Sequence, residues 1–180
     1  MKNKKLLLLF FILLIIVSAV LWKDNNTDTI SFDKNIIDLD TLKINQIIIY
    51  PKSNKIDTVI LIYKDTLWSV NSENKLNNNI NQKLVNQIKR MLNFNAERIV
   101  ATTEEKWENF EVDNDNSTKV EVFENNIKTN ELYFGKFNFQ NNTLSSYVRV
   151  GKDENTYEIS GQHSIILNQG KEKYLISTPE

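Results

Sequence analysis

The chain has 180 residues, with 22 basic and 23 acidic side chains, so its formal net charge is close to zero. This balance argues against a nucleic-acid partner, which would require a strongly basic surface. The chain has no cysteine, which excludes disulfide bonds and thiolate metal ligands, so a domain of about 150 residues must be stabilised by its own apolar core.

An uninterrupted apolar segment occupies residues 6–22 and follows Lys2, Lys4 and Lys5. Its length is at the lower limit of the roughly 17–25 residues that cross a bilayer as a helix. Lysines in front of such a segment favour retention of the N-terminus in the cytoplasm and export of the rest. We therefore predict a single-pass protein of the cytoplasmic membrane, anchored in the lipid bilayer by Leu6, Phe10, Leu14, Val17 and Trp22.

A cleaved secretory signal is the alternative for the same segment. Val17-Ser18-Ala19 satisfies the small-residue rule for cleavage after Ala19, and cleavage would release a secreted binding protein. The apolar segment is, however, longer than the roughly 7–15 residues usual in a signal peptide. Both interpretations place the rest of the chain outside the cytoplasm. We divide the whole chain into an anchor or signal peptide (1–23), a tether (24–42) and a single extracytoplasmic α+β domain (43–180).

The first part of the domain combines strands with one clear helix. Three runs rich in β-branched residues, bounded by turn residues, predict strands over 44–50, 57–63 and 66–70. An amphipathic helix follows, because Ile80, Leu84 and Ile88 recur at helical spacing with polar residues between them. Asn78 or Asn79 could cap its first turn.

The remainder of the domain is dominated by predicted strands. A strand over 96–101 precedes a short helix, which Thr102 and Glu105 could open as a capping box. Asn125-Asn126 predicts a two-residue hairpin turn. Further extended segments are expected over 119–122, 127–134, 147–150, 157–160, 164–168 and 173–177, and a loop over 135–142. This order predicts an α+β fold, mostly antiparallel sheet with one main amphipathic helix and one short helix, preceded by an N-terminal transmembrane helix.

The apolar core should include large side chains from both helices and from the strands. We expect it to contain Trp68, Leu84, Ile88, Trp107, Phe110 and Tyr147. Aromatic residues that alternate along strands usually form core contacts or cross-strand pairs. If they were exposed instead, the same aromatic residues would suggest a platform for sugars or peptides.

Neither histidine nor acidic loop residues form a convincing metal site in the sequence. His163 is the only histidine, and without cysteine it cannot complete the common zinc ligand sets. Residues 113–117 resemble the start of a calcium loop, but Thr118 stands where an EF-hand requires glycine. We therefore predict no metal and no cofactor, a structural or surface role for His163, and a solvated turn at 113–117.

An acidic cluster, formed by Glu104, Glu105, Glu108 and Glu111, lies around the short predicted helix. Glycoside hydrolysis requires two carboxylates that face one cleft about 5–9 Å apart. Acidic residues around a short exposed helix more often form a solvated face. The sequence therefore favours a protein that is not an enzyme, with an envelope hydrolase acting on sugars or peptides through Glu105 and Glu108 as the alternative.

The order of several short motifs is similar to that of a known family. The motifs are Leu67-Trp68-Ser69-Val70, the helix from Gln82 to Phe94, and the segments Arg98 to Ala101, Trp107 to Asp113, Leu132 to Lys136, Ser146 to Val150 and Thr156 to Ile159. Together, over residues 40–160, they resemble the bacterial domain of unknown function numbered 4340. Asn109-Phe110-Glu111 departs from that family, which has glycine and leucine there.

This resemblance implies a membrane-anchored envelope protein with no established activity, and it carries over no catalytic residue. Some members resemble parts associated with ABC-type export or gliding-motility machinery. Together with the apolar segment, the resemblance leads us to expect a membrane-anchored extracytoplasmic accessory or interaction module with a protein partner in the envelope.

Overall fold

The structure, a computed structural model, describes residues 10–14, 32–52, 57–72 and 75–176. The chain divides between Asp33 and Lys34 into two units, and the second unit contains the sheet. This unit begins ahead of residue 43, where the sequence suggested the start of the domain. Ile37 and Leu39 of the expected tether are buried, and the backbone N–H of Ala96 donates to the carbonyl of Lys34 at 2.8 Å.

The predicted membrane anchor lies only partly within the described residues. Phe10 and Leu14 belong to a helical segment, residues 10–14, and expose 60% and 48% of their surfaces. Leu6, Val17 and Trp22 lie outside the described residues. Within the ranges that the structure describes, no helix has the length and apolar character needed to cross a membrane.

Within the described residues, nine strands form one antiparallel sheet. They are β1 (Ile44–Tyr50), β2 (Val59–Lys64), β3 (Leu67–Ser72), β4 (Lys75–Asn77), β5 (Ala96–Ala101), β6 (Thr118–Glu124), β7 (Ile127–Gln140), β8 (Thr143–Val150) and β9 (Thr156–Ser160). Their order across the sheet is β4-β3-β2-β1-β6-β7-β8-β9-β5, and each neighbouring pair is antiparallel. The predicted α+β class with a mostly antiparallel sheet is therefore confirmed.

Three short helices accompany the sheet within the described ranges. They are α1 (Gln82–Met91), α2 (Trp107–Phe110) and α3 (His163–Leu167), with 3-10 turns at Glu104–Lys106 and Lys171–Tyr174. The prediction of an extended segment over 164–168 is wrong, because the backbone N–H groups of Ile165 and Ile166 both donate to the carbonyl of Gln162 and begin a helix. A short apolar run does not distinguish a strand from a buried helical turn by its periodicity alone.

The last described segment is only partly extended. The 3-10 turn occupies part of the strand predicted over 173–177, and Leu175 then forms an isolated antiparallel bridge with Ile80. Residue 177 lies outside the described residues. This bridge ties the C-terminal segment to the residues that immediately precede α1.

Helix α1 begins later than the sequence suggested. Asn81, not Asn78 or Asn79, caps it, since the Asn81 side chain accepts a hydrogen bond from the backbone N–H of Leu84 at 3.1 Å. Its buried side chains are Val85 and Ile88. The helix thus places a slightly different face against the sheet from the one that the Ile80–Leu84–Ile88 spacing indicates.

Two-residue asparagine turns connect the central strands. Asn125-Asn126 has left-handed φ values of 52° and 66°, which confirms the predicted hairpin between β6 and β7. Asn141-Asn142 has φ values of 50° and 61° and forms an equivalent turn between β7 and β8. The prediction of a loop over 135–142 is wrong, because β7 continues through Gly135 after a shift in its pairing with β8.

The two faces of the sheet have different contents. Leu132, Phe134 and Val148 have no exposed surface and lie on the face that α3 covers. Successive strand residues point to opposite faces, so Tyr133 and Arg149 lie on the other face. The face that α3 covers therefore contains fully buried apolar side chains, whereas the opposite face contains buried polar and aromatic groups.

The expected core residues divide into two groups. Trp68, Ile88 and Tyr147 are buried, with 2%, 0% and 8% of their surfaces exposed. Leu84, Trp107 and Phe110 are only half-buried, which corrects the expectation that they belong to the core. Leu84 is partly exposed because α1 presents Val85 and Ile88 to the sheet, and the other two belong to the short helix α2.

Candidate functional site

The four glutamates of the acidic cluster do not share a cavity in the described structure. Glu104 and Glu105 lie in a 3-10 turn and Glu108 lies in α2, and all three are exposed. Glu111 follows α2 with a left-handed φ of 58° and forms an ion pair with Lys52. Of three cavities formed by described residues, two are lined by Glu111 and none is lined by the other three glutamates. The paired carboxylates that a glycosidase requires are thus not brought together there.

His163 lies between the main helix and the sheet. It is 7% exposed, its Nε2 is 3.0 Å from the carbonyl oxygen of Met91, and its ring stacks on Phe134 at 6.0 Å between centroids. Burial lowers the pKa of His163, so the imidazole is neutral at pH 7 and donates from Nε2 to the carbonyl. The histidine therefore links the C-terminal end of α1 to α3, which is a structural role.

The former candidate calcium loop is a side-chain-stabilised turn. Asp113 Oδ1 accepts hydrogen bonds from the backbone N–H groups of Asp115 at 2.9 Å and Asn116 at 3.0 Å. Partial burial raises the pKa of Asp113, but hydrogen bonds from Asn116 and the backbone outweigh it and lower the pKa. Glu124, at the twelfth position counted from Asp113, where an EF-hand has its last ligand, accepts from the backbone N–H of Asp40. No group of three metal-ligating side chains occurs among the described residues.

The turn is held against the sheet by a buried arginine that the sequence did not single out. Arg149 is 3% exposed, and its guanidinium carbon lies 3.6 Å from the ring centroid of Tyr133 and 4.0 Å from that of Trp107. Arg149 Nε donates to the carbonyl of Val112 at 3.1 Å, and Nη2 donates to Asn114 Oδ1 at 3.0 Å. This arrangement fixes the segment that follows α2 on the sheet.

A cavity next to this segment is a candidate for a binding site. Its volume is about 390 Å³, and its lining residues come from the turn after β1, the residue after α2, the middle of β7, and α3 with the residue that follows it. We call it the lysine cleft, and it is lined by Lys52, Glu111, Gly135, Lys136, Phe137, Ser164, Ile165 and Asn168. A second cavity of about 380 Å³ shares Lys52, Glu111 and Asn168 with it and extends it toward Asp115 and Asn116.

Gly135 makes the close packing beside the lysine cleft possible. A Cβ atom on this residue would lie 2.0 Å from the carbonyl oxygen of Phe110 and 2.9 Å from Val112 Cγ1. No larger residue fits while the backbone after α2 passes so near. A glycine inside a strand pattern is a recognised signal of a bulge or a close backbone approach, and this signal could have identified the site.

The lysine cleft has a charged side and an apolar side. Lys52 Nζ forms an ion pair with Glu111, and Lys136 Nζ lies 5.8 Å from the ring centroid of Phe110. Phe137 and Ile165 on the apolar side expose 53% and 39% of their surfaces. The cleft thus combines cationic, hydroxyl and apolar groups that are far apart in the sequence.

A separate cleft, lined only by polar residues, lies near the tip of the β7–β8 hairpin and has a volume of about 410 Å³. Its lining includes Glu158, which accepts a hydrogen bond from Ser145 at 2.5 Å and pairs with Arg98 at 2.6 Å. Burial raises the pKa of Glu158, but these hydrogen bonds outweigh it and lower the pKa, so the carboxylate stays ionised. A carboxylate so strongly paired is a weak proton acceptor.

In the part of the chain that the structure describes, these features define an α+β domain with a nine-stranded antiparallel sheet and clefts at its surface. The family model described as "Domain of unknown function (DUF4340)" matches residues 68–175, which is more than half of the chain. The chain therefore belongs to this family, which confirms the resemblance seen in the sequence, although the match begins and ends later than residues 40–160. No curated protein and no solved structure matches the chain.

Proposed function

We propose that the protein is a single-pass membrane protein whose folded unit, residues 34–180, acts outside the cytoplasm as an accessory or interaction module. The observation that carries this proposal is the uncharged segment 6–22 behind three lysines. In its described part, residues 10–14, five consecutive large apolar side chains are 48% to 60% exposed. A helix that is apolar on all sides is better accommodated by lipid than by water.

Exposed aromatic residues beside the lysine cleft support a binding role. Phe137 and Phe139 expose 53% and 62% of their surfaces and, two residues apart on β7, point to the same side of the strand. Single exposed apolar residues are common, but neighbouring ones beside a cavity are typical of contact surfaces. The partner that we propose is a protein of the envelope, such as a component of an ABC-type transport or gliding-related complex.

A charge inserted into the apolar segment tests the anchor. In Leu14→Arg, arginine at the centre of a membrane span costs about 2.5–3.5 kcal/mol on insertion scales. We expect the wild-type chain to remain in the membrane pellet after an alkaline carbonate wash and this variant to move to the soluble fraction. Leu42→Arg is the matched control, because Leu42 is an exposed leucine of the folded unit.

Two results would reject the anchor. One is equal fractionation of the wild-type chain and both variants. The other is a mature chain that begins at Val20, which would show that the segment is a cleaved signal. Protease added to spheroplasts should digest the folded unit, and complete protection of that unit would reject its placement outside the cytoplasm.

A further inference from the structure

The lysine cleft retains one positive charge. Lys52 and Glu111 neutralise each other in an ion pair. Within the described ranges, Lys136 has no carboxylate at ion-pair distance, and its recorded contact is the face of the Phe110 ring. Two lysines and one glutamate line the cleft, so a single positive charge remains. An unpaired cation beside a cavity favours a ligand with one negative charge.

One residue that lines the cleft, Ser164, carries a buried hydroxyl group without a hydrogen-bond partner in the described structure. Ser164 is 7% exposed and lines the cleft, and its Oγ has no hydrogen-bond partner among the described residues. Its backbone N–H is already used, since it donates to Ser146 Oγ at 3.2 Å. A buried hydroxyl without a partner is unfavourable, so a ligand acceptor that reaches it would be bound more tightly.

The remaining wall of the cleft is apolar. Phe137 and Ile165 flank it and are both substantially exposed. The volume of about 390 Å³ falls within the range of about 300–1,000 Å³ found for small-ligand sites. The cleft therefore offers a cation, a hydroxyl and an apolar surface to one small ligand.

We propose that the lysine cleft binds the carboxylate of a ligand whose remainder is apolar. The carboxylate lies between Lys136 and the Ser164 hydroxyl, which donates to it, and the apolar part packs against Phe137 and Ile165. Two sources offer this chemistry, namely the C-terminal residue of a peptide and a short fatty acid. This proposal deepens the binding role proposed above and is independent of membrane anchoring.

The experiment is a calorimetric titration of the full-length chain in detergent micelles. The probes are an N-acetylated tetrapeptide that ends in leucine with a free carboxylate, the same peptide with an amidated end, hexanoate and inorganic phosphate. We expect the free carboxylate to bind about tenfold or more tightly than the amide, because charge-assisted hydrogen bonds are the stronger ones. Tighter binding of the peptide than of hexanoate assigns the site to chain ends, and the reverse assigns it to fatty acids.

Matched variants locate the binding in the cleft. Lys136→Gln and Ser164→Ala should each weaken binding of the preferred probe by about three- to tenfold, since each removes one donor to the carboxylate. Lys152→Gln, an exposed lysine of the β8–β9 turn, should leave binding unchanged. Ser117→Ala is the control for the hydroxyl, because Ser117 is also buried without a hydrogen-bond partner in the described structure but does not line the cleft.

Several results would overturn the proposal. They are equal affinity for the acid and the amide, no saturable binding of the peptide or of hexanoate, competition by phosphate as strong as that of the peptide, and equal weakening by the control variants. A positive titration with a soluble wild-type chain rejects the anchor and keeps the cleft. A negative titration with a membrane-bound chain rejects the cleft and keeps the anchor.

Discussion

At the scale of single residues, Arg149 connects the sheet to the segment after α2. Its guanidinium is stacked between two aromatic rings and donates to Val112, Asn114 and Gly151. A buried cation is stable only when its donors are used, and here each nitrogen has a partner. The buried guanidinium of Arg149 therefore fixes the segment after α2, which contributes one wall of the lysine cleft.

Replacement of this guanidinium should destabilise the fold. In Arg149→Met the apolar stem is kept, but the acceptors on Val112 and Asn114 lose their donor, so we expect the free energy of unfolding to fall by about 2–4 kcal/mol. Urea titration of the full-length chain in detergent, followed by tryptophan fluorescence, measures it. Arg90→Met, at an exposed position in the last turn of α1, is the control and should change stability by less than about 1 kcal/mol. Equal losses of unfolding free energy in Arg149→Met and Arg90→Met would show that the buried guanidinium does not stabilise the fold.

Glu131 makes stability depend on acid pH. Partial burial raises the pKa of Glu131, but hydrogen bonds from Lys128 and Tyr133 outweigh it and lower the pKa from 4.5 to about 2. Because the folded pKa is the lower one, the stabilisation is complete above about pH 4.5 and is lost as the pH falls toward about 2.

The corresponding variant should flatten the acid limb of the stability profile. Glu131→Gln cannot lose a charge, so we expect it to lose about 1–2 kcal/mol less than the wild-type chain between about pH 5 and about pH 2. Unfolding free energies measured across this range decide it. Burial raises the pKa of Glu121, but hydrogen bonds from Lys119 and Lys128 outweigh it and lower the pKa. Because Glu121 still titrates in the variant, the stability of Glu131→Gln should keep a dependence on acid pH that is smaller than that of the wild-type chain. An unchanged slope would contradict the assignment.

At the scale of elements, the capping residue and the buried face of α1 both differ from those that the sequence indicates. Asn81 begins the helix, and Val85 and Ile88 then face the sheet while Leu84 is partly exposed. Periodicity identified the helix correctly because apolar spacing and polar positions are local. Periodicity does not decide whether the stripe with Leu84 or the stripe with Val85 packs against the sheet, since that choice depends on the shape of the sheet surface.

Alanine substitutions in α1 separate the two stripes. Ile88→Ala removes a fully buried side chain and should lower the free energy of unfolding by about 2–5 kcal/mol. Leu84→Ala removes a half-buried side chain, so we expect about 1 kcal/mol or less. Thermal unfolding of both variants, monitored by circular dichroism, measures which substitution destabilises the protein more. A larger loss for Leu84→Ala would mean that the helix packs in the register that its Ile80–Leu84–Ile88 spacing indicates.

The β7 strand illustrates the same limit. Asn125-Asn126 was predicted as a hairpin turn because asparagine tolerates left-handed backbone, and the structure confirms it. The sequence predicts that the strand ends before Gly135, whereas this residue marks a bulge after which Phe137 and Phe139 continue the pairing. A glycine in the sequence does not show whether a strand ends or bends at that position. Here the outcome depends on the continued pairing with β8 and on the close approach of the Phe110 backbone.

At the scale of the whole molecule, the sheet order brings together residues that are distant in the chain. β1 pairs with β6, and β5 pairs with β9 across a long sequence separation. The lysine cleft consequently combines Lys52, Glu111, Lys136 and Ser164 from four separate segments. No spacing rule in the sequence links these residues, and the local signal of the site is Gly135 inside a strand pattern.

By itself, the sequence determined the apolar N-terminal segment, the α+β class, the main helix, one hairpin turn and the family. These are properties of neighbouring residues, because hydrophobic periodicity and turn chemistry act within a few positions of the chain. Only the tertiary structure decided which helix face is buried, that Arg149 stacks on Trp107, and that a cationic and an apolar wall meet at Gly135. The physical reason is that strand pairing and close backbone contact set the distances between remote side chains.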